Sequence, residues 1–161
     1  MNITVGICQK NEYERMVAIF TEMEEHYYGK GVVELHKMQH YLASRVFAQD
    51  SGVTVIRVEQ GERVIGFACI NVLYPSPRYS GQMFIKELFI SERYRGNGAG
   101  KKLMQFIGRL ALERECNTLD WMSEKSNDNS RRFYTSLGGE ILGGMHHFRL
   151  HGAGLKALAT G

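Results

Sequence analysis

The chain has 161 residues, 43% apolar and 11% aromatic, enough for a packed core and too apolar for a disordered segment. A formal net charge of +3 gives no reason to expect nucleic acid as a partner, and no apolar run has the length of a membrane span. Cys8, Cys69 and Cys116 are widely spaced and form no Cys-x-x-Cys pair, so they read as reduced core residues of a cytoplasmic protein.

In chain order, Ile3 to Ile7 reads as a first strand rather than a secretory leader. Glu12 to Tyr28 places Met16, Ile19, Phe20 and Met23 at helical spacing, and Val33 to Phe47 does the same with Leu35, Met38, Leu42 and Val46. After a break at Asp50-Ser-Gly52, the β-branched runs Val53 to Val58 and Arg63 to Leu73 flank Glu59-Gln-Gly-Glu62 as a hairpin. Met83 to Ile90 is a further strand. Leu103 to Cys116 is helical, with Ala99, Leu103, Phe106, Ile107 and Leu110 on one apolar face. Thr118 to Met122 is a short strand, and Asn127 to Leu137 a helix ended by Gly138-Gly139. Glu140 to Leu150 reads as closing strands interrupted at Gly143-Gly144, and the tail from Gly152 to Gly161 is small and apolar. No repeat or linker divides the chain, so a single domain over residues 1–161 is expected.

The run Arg95-Gly-Asn-Gly-Ala-Gly-Lys-Lys102 lies between the Met83–Ile90 strand and the following helix. Glycines allow a tight loop with exposed N–H groups, and a helix N-terminus adds unpaired donors and the positive end of its dipole. Arg93, Arg95, Lys101 and Lys102 crowd the same end, which is unfavourable unless an anion binds there. Two familiar phosphate loops fail on the residues that carry their chemistry. The triphosphate loop requires glycine where Arg95 stands and a hydroxyl where Lys102 stands. The dinucleotide fingerprint starts at Gly96 and Gly98 but meets Lys101 in place of its third glycine, which leaves Asp120 without a ribose to bind.

The pattern Arg95-x-x-Gly98-x-Gly100 resembles the pyrophosphate loop of the Gcn5-related N-acetyltransferase superfamily. Downstream, Asn127-Asp-Asn-Ser-Arg-Arg-Phe-Tyr-Thr-Ser-Leu-Gly138 resembles the second signature of that superfamily, with Gly139 in place of its usual aromatic. The resemblance runs from Met83 to Gly139. It implies an α+β fold with a mixed, mostly antiparallel central sheet flanked by helices, in the order β-α-α-β-β-β-α-β-α-β. It also implies acetyl-coenzyme A as cosubstrate and no metal; the six histidines have no ligand spacing with the cysteines.

The resemblance assigns coenzyme binding to Arg95, Gly96, Asn97, Gly98, Ala99, Gly100 and Lys101, to the main chain of Leu88, Phe89 and Ile90, and to Asn127 and Tyr134. Tyr134 is the expected acid for the departing thiolate. Glu87, a carboxylate in an otherwise apolar strand, is the expected base or the group that binds a cationic amine. Asn127 has an equal claim as a helix cap, and Cys116 is a remote alternative as an acyl-carrying nucleophile. Met23-Glu-Glu-His-Tyr-Tyr28 offers an acidic, aromatic wall to a cation or, alternatively, a solvated helix end. The expected reaction is direct acetylation of a small primary amine, with diamines and polyamines favoured over amino acids and aminoglycoside-like amines. Protein-lysine or N-terminal acetylation and a non-catalytic acyl-coenzyme A sensor are the alternatives. No nucleic acid or membrane partner is expected; the sequence leaves the oligomeric state open, with a homodimer among the possibilities because dimers are common in the family it resembles.

Overall fold

The computed structural model describes residues 2–161. They form two compact units, Met1–Met122 and Ser123–Gly161, each described by itself.

The first unit is a five-stranded sheet in the order β1 (Ile3–Ile7), β2 (Thr54–Gln60), β3 (Arg63–Ser76), β4 (Ser80–Ile90) and β5 (Cys116–Trp121). The first four pair antiparallel and β5 runs parallel to β4, giving the expected mixed, mostly antiparallel sheet. The β2–β3 hairpin is tighter than the sequence suggests. Gln60 pairs directly with Arg63, leaving Gly61 and Glu62 as the turn.

Helices cover both faces. On one lie α1 (Val17–Tyr28) and α2 (Leu35–Tyr41), and the expected first helix opens as a 3-10 segment, Lys10–Met16. The Gln9 N–H donates to the Glu12 carboxylate at 2.8 Å, one half of a reciprocal capping box. The second helix begins two residues later than expected, because Glu34 is still extended, and its last turn, Leu42–Val46, is a π-turn. Alternate strand residues point to opposite faces, so Val55, Phe67, Cys69 and Phe89 join Met16, Phe20, Met23 and Leu42 in one core cluster. Phe67 and Phe20 stack with ring centroids 4.0 Å apart. On the other face α3 (Ala99–Glu113) touches all five strands and buries Ala99, Leu103, Met104, Ile107, Leu110 and Ala111.

The second unit holds α4 (Asp128–Ser136) and α5 (Gly152–Thr160). Here one expectation fails: residues 140–150 form neither strand nor helix, and the sheet ends at β5. A strand exists only where a neighbour takes up its N–H and C=O groups, and among the described residues no ladder includes 140–150. The expected terminal strand is therefore absent, and the final element is α5, built from the helix-favouring run Ala153-Gly-Leu-Lys-Ala-Leu-Ala159.

Candidate functional site

The end of β4 carries the first part of the site. Residues 86–90 pair with β3 on one side through Glu87, Leu88, Phe89 and Ile90. On the other side the ladder to β5 stops at Ile85, opposite Trp121. The main chain of Leu88, Phe89 and Ile90 thus has one edge without a strand beside it, the arrangement that an extended amide-bearing arm needs for hydrogen bonding.

β4 also contains a bulge. Cys69 faces Glu87 while the next residue of β3, Ile70, faces Ile85, so Lys86 is the extra residue. Neighbours on a regular strand point to opposite faces; a bulge re-aims one of them. Lys86 and Glu87 consequently both line one cavity of about 590 Å³, walled by α1, α2, β3 and β4. Phe20, Met23, Val33, Met38 and Cys69 give it an apolar floor, and Glu24, Glu34 and Lys37 add charge at its walls. The Glu87 side chain is 37% exposed, and its Oε1 lies 3.7 Å from Lys86 Nζ. Lys37 Nζ donates to Glu34 Oε1 at 2.7 Å. Burial first, and the Glu87 charge second, push the Cys69 thiol up to about 12, so it stays a neutral wall.

Beyond β4 the buried Ser91 donates its N–H to Ile65 O at 2.8 Å, and a single 3-10 turn, Glu92–Tyr94, leads into the glycine loop. Gly96 and Gly98 have φ of +79° and +80°, the left-handed region in which a side chain is strained. Gly98 is the N-cap of α3 and offers no side-chain acceptor; the first turn, Ala99-Gly-Lys-Lys102, contains no acid. Its N–H donors and dipole are therefore uncompensated from within the loop, which suits a pyrophosphate. Arg95 is more committed than its position in the motif suggests. Its Nε donates to Ile90 O at 2.9 Å and its guanidinium lies 5.6 Å from the centre of the Phe89 ring, fastening the loop to the end of β4. Lys102 Nζ reaches Ile3 O at 3.3 Å, which turns that charge toward β1, while Lys101 is exposed.

Asn127 and Tyr134 belong to the second unit, where both serve α4. Asn127 Oδ1 accepts from the Ser130 N–H at 3.1 Å, a working N-cap that commits the amide oxygen and not the amide nitrogen. Tyr134 is half-buried, with its ring 5.3 Å from that of Phe133, and its carbonyl accepts the Gly139 N–H at 3.0 Å. Cys116 is buried and desolvation raises its thiol, the opposite of what an acyl-carrying nucleophile requires.

Of the acidic, aromatic wall expected from α1, only Met23 and Glu24 line the cavity. Tyr27 and Tyr28 are exposed, and the His26 ring packs 5.8 Å from Phe89. Lys86 and the α2 residues were not singled out from the sequence. The signal for Lys86 was there: two adjacent charges in Met-Phe-Ile-Lys-Glu-Leu-Phe-Ile90 break the alternation of the strand.

The chain is similar to several known proteins. A thialysine N-epsilon-acetyltransferase of Sus scrofa is 27% identical over 109 residues, covering 62% of this chain and 60% of that protein. A spermidine/spermine N(1)-acetyltransferase-like protein 1 of Homo sapiens is 26% identical over 95 residues, covering 56% of this chain and 13% of that protein. The chain thus spans less than two thirds of the length of these curated relatives. An integron cassette protein from the mobile metagenome of V. cholerae superposes at a TM-score of 0.95 with 34% identity, covering 100% of this chain and 99% of that one. The family model for the acetyltransferase (GNAT) family matches residues 14–139. With that match over most of its length, and with the glycine loop, the open β4 edge and α3 in the places just described, the chain belongs to the GNAT family of acetyltransferases.

Proposed function

We propose that the chain moves the acetyl group of acetyl-coenzyme A onto the primary amine of a small cationic molecule, of the diamine or polyamine type. The observation that carries this reading is the position of Glu87, which shares the strand face of Phe89 and Cys69 and lines an apolar cavity on the strand whose end runs into the glycine loop, with the bulged Lys86 beside it. Within the first unit the donors suit the coenzyme, with uncapped N–H groups of Ala99, Gly100 and Lys101 for the pyrophosphate and the open edge of Leu88 to Ile90 for the pantetheine amides; in the second unit the cap leaves the Asn127 amide nitrogen as a donor. Acetyl-coenzyme A, when bound, supplies an activated thioester.

A primary ammonium has a pKa of ~10.4, and only its neutral form is a nucleophile. Glu87 takes the proton of the amine at its carboxylate, directly or through one water, and the apolar floor beside it excludes bulk solvent. Glu24, which unlike Glu34 is not paired with Lys37, favours a substrate with a second positive charge. The Tyr134 hydroxyl gives up a proton to the departing thiolate. Holding both reactants in one orientation lowers the barrier further.

The test is thiol release from acetyl-coenzyme A with polyamines, diamines, amino acids, aminoglycosides and a lysine peptide as acceptors. Turnover on di- or polyamines is expected, with kcat/KM reduced about 100-fold or more in Glu87→Gln and in Tyr134→Phe, the range for a lost acid or base. Coenzyme binding without turnover on any amine overturns the catalytic reading. Turnover confined to the peptide moves the acceptor to protein.

A further inference from the structure

Resting on the reading of Glu87 as the group that meets the reacting amine, we propose that Asn71 measures the acceptor. Its side-chain oxygen binds the second ammonium of a diamine, and its distance from Glu87 selects a chain of four or five carbons.

Residues two apart on a strand share a face. Asn71 therefore follows Cys69 on the face of β3 that looks into the cavity, and both line it. The bulge lies on β4 and leaves β3 regular here, with Cys69 directly opposite Glu87. Glu87 and Asn71 are thus diagonal neighbours across the two strands, a relation that sets Cβ atoms about 7–8 Å apart. An extended chain of ~1.5 Å bonds at ~111° advances about 1.25 Å per bond. The two nitrogens of 1,4-diaminobutane or 1,5-diaminopentane then stand about 6–7.5 Å apart, which matches that diagonal.

The Asn71 amide is also held ready for a cation. Its side chain is half-buried and, among the described residues, takes part in no hydrogen bond within the chain. Gly52 has φ +70°, and a Cβ there would stand 3.3 Å from Asn71 Nδ2. The nitrogen end thus backs onto Gly52, and Oδ1 is the end left for a ligand. An amide oxygen accepts from an ammonium and repels a carboxylate. Glu24 adds negative potential from α1, while Val53 and Cys69 give the methylenes an apolar surface.

Thiol release from acetyl-coenzyme A is measured with n-butylamine, 4-amino-1-butanol, 4-aminobutanoate and the α,ω-diamines of two to six carbons. Wild type is expected to prefer the four- and five-carbon diamines over butylamine by about tenfold or more in kcat/KM, the scale of a hydrogen bond to a charged group. Asn71→Leu is expected to abolish that preference while butylamine turnover stays within about twofold, since only the polar contact is lost. Asn71→Asp keeps the acceptor, adds a charge, and is expected to widen the preference. A merely structural role for Asn71 would lower every acceptor together. An unchanged diamine preference in Asn71→Leu, an equal loss on all acceptors, an optimum outside four and five carbons, or a preference for the aminoalcohol or aminobutanoate each overturns the role of Asn71 and leaves amine acetylation standing. No turnover by wild type on any of these amines overturns the reading of Glu87 as well.

Discussion

Two glycines in one helix segment make opposite predictions for the same substitution. Gly98 caps α3 with φ +80°, and a Cβ there would meet nothing within 4 Å. Alanine at this position therefore costs only backbone strain, about 1–2 kcal/mol for a non-glycine residue in the left-handed region. Gly108 lies inside α3 with ordinary helical torsion, and its Cβ would also meet nothing within 4 Å. Alanine at 108 relieves the entropic cost of glycine and gains about 0.8–1 kcal/mol. The two variants are thus expected to differ by about 2–3 kcal/mol, with wild type between them. At about 2–4 °C per kcal/mol for a chain of this size, the melting temperatures separate by about 4–12 °C. Urea titration with constant m-values gives the same comparison at 25 °C. Gly98→Asn, whose side chain tolerates the left-handed region, is expected to recover part of the loss. Equal stability of Gly98→Ala and wild type, or no advantage of Asn over Ala, refutes the assignment of the loop's glycine to backbone strain.

Lys86→Gln removes a cation from the acceptor cavity while breaking only an exposed ion pair, so stability is expected to stay within about 0.5 kcal/mol. KM for a diamine is expected to fall about three- to fivefold, since one like charge at ~4 Å through water is worth ~1 kcal/mol; a rise in KM counts against a cationic acceptor. Stability at high pH tests the buried thiols. Cys69 and Cys8 are held up at about 12 and about 11, both chiefly by burial, against an ordinary 9.0. Above pH 9 the unfolded chain loses these protons and the folded chain keeps them. The stabilisation is therefore complete below pH 9 and lost between pH 9 and 12. Urea midpoints measured from pH 8 to 11 are expected to fall, and to fall less steeply in Cys69→Ala.

The parts of the site written in contiguous residues were readable from the sequence. Glycine spacing fixes the loop, and the apolar stripe from Ala99 to Leu110 fixes the helix behind it, because both depend on local torsion and periodicity. Asn127 was readable as a cap for the same reason. What depends on pairing between strands was not. The bulge at Lys86 exists only relative to Cys69 and Ile70 on β3, and the open edge of Leu88 to Ile90 only because the β5 ladder stops at Ile85. Residues 140–150 show the same limit from the other side. Their composition is that of strands, yet strand formation depends on a pairing partner, and among the described residues no ladder includes them. The late start of α2 and its π-turn likewise reflect tertiary packing around Met38 and Leu42, which periodicity does not register.

The position of α3 means that occupancy of the glycine loop is felt throughout the layer beneath it. One end of this helix presents the bare donors of Ala99 to Lys101, and its length lies across every strand of the sheet. From its first turn Lys102 holds the carbonyl of Ile3, so the first strand of the chain is moored beside the loop nearly a hundred residues later. An anion seated there braces the beam that keeps both margins of the sheet in place. The amides of β1, remote in sequence and uninvolved in chemistry, become a natural reporter of coenzyme occupancy.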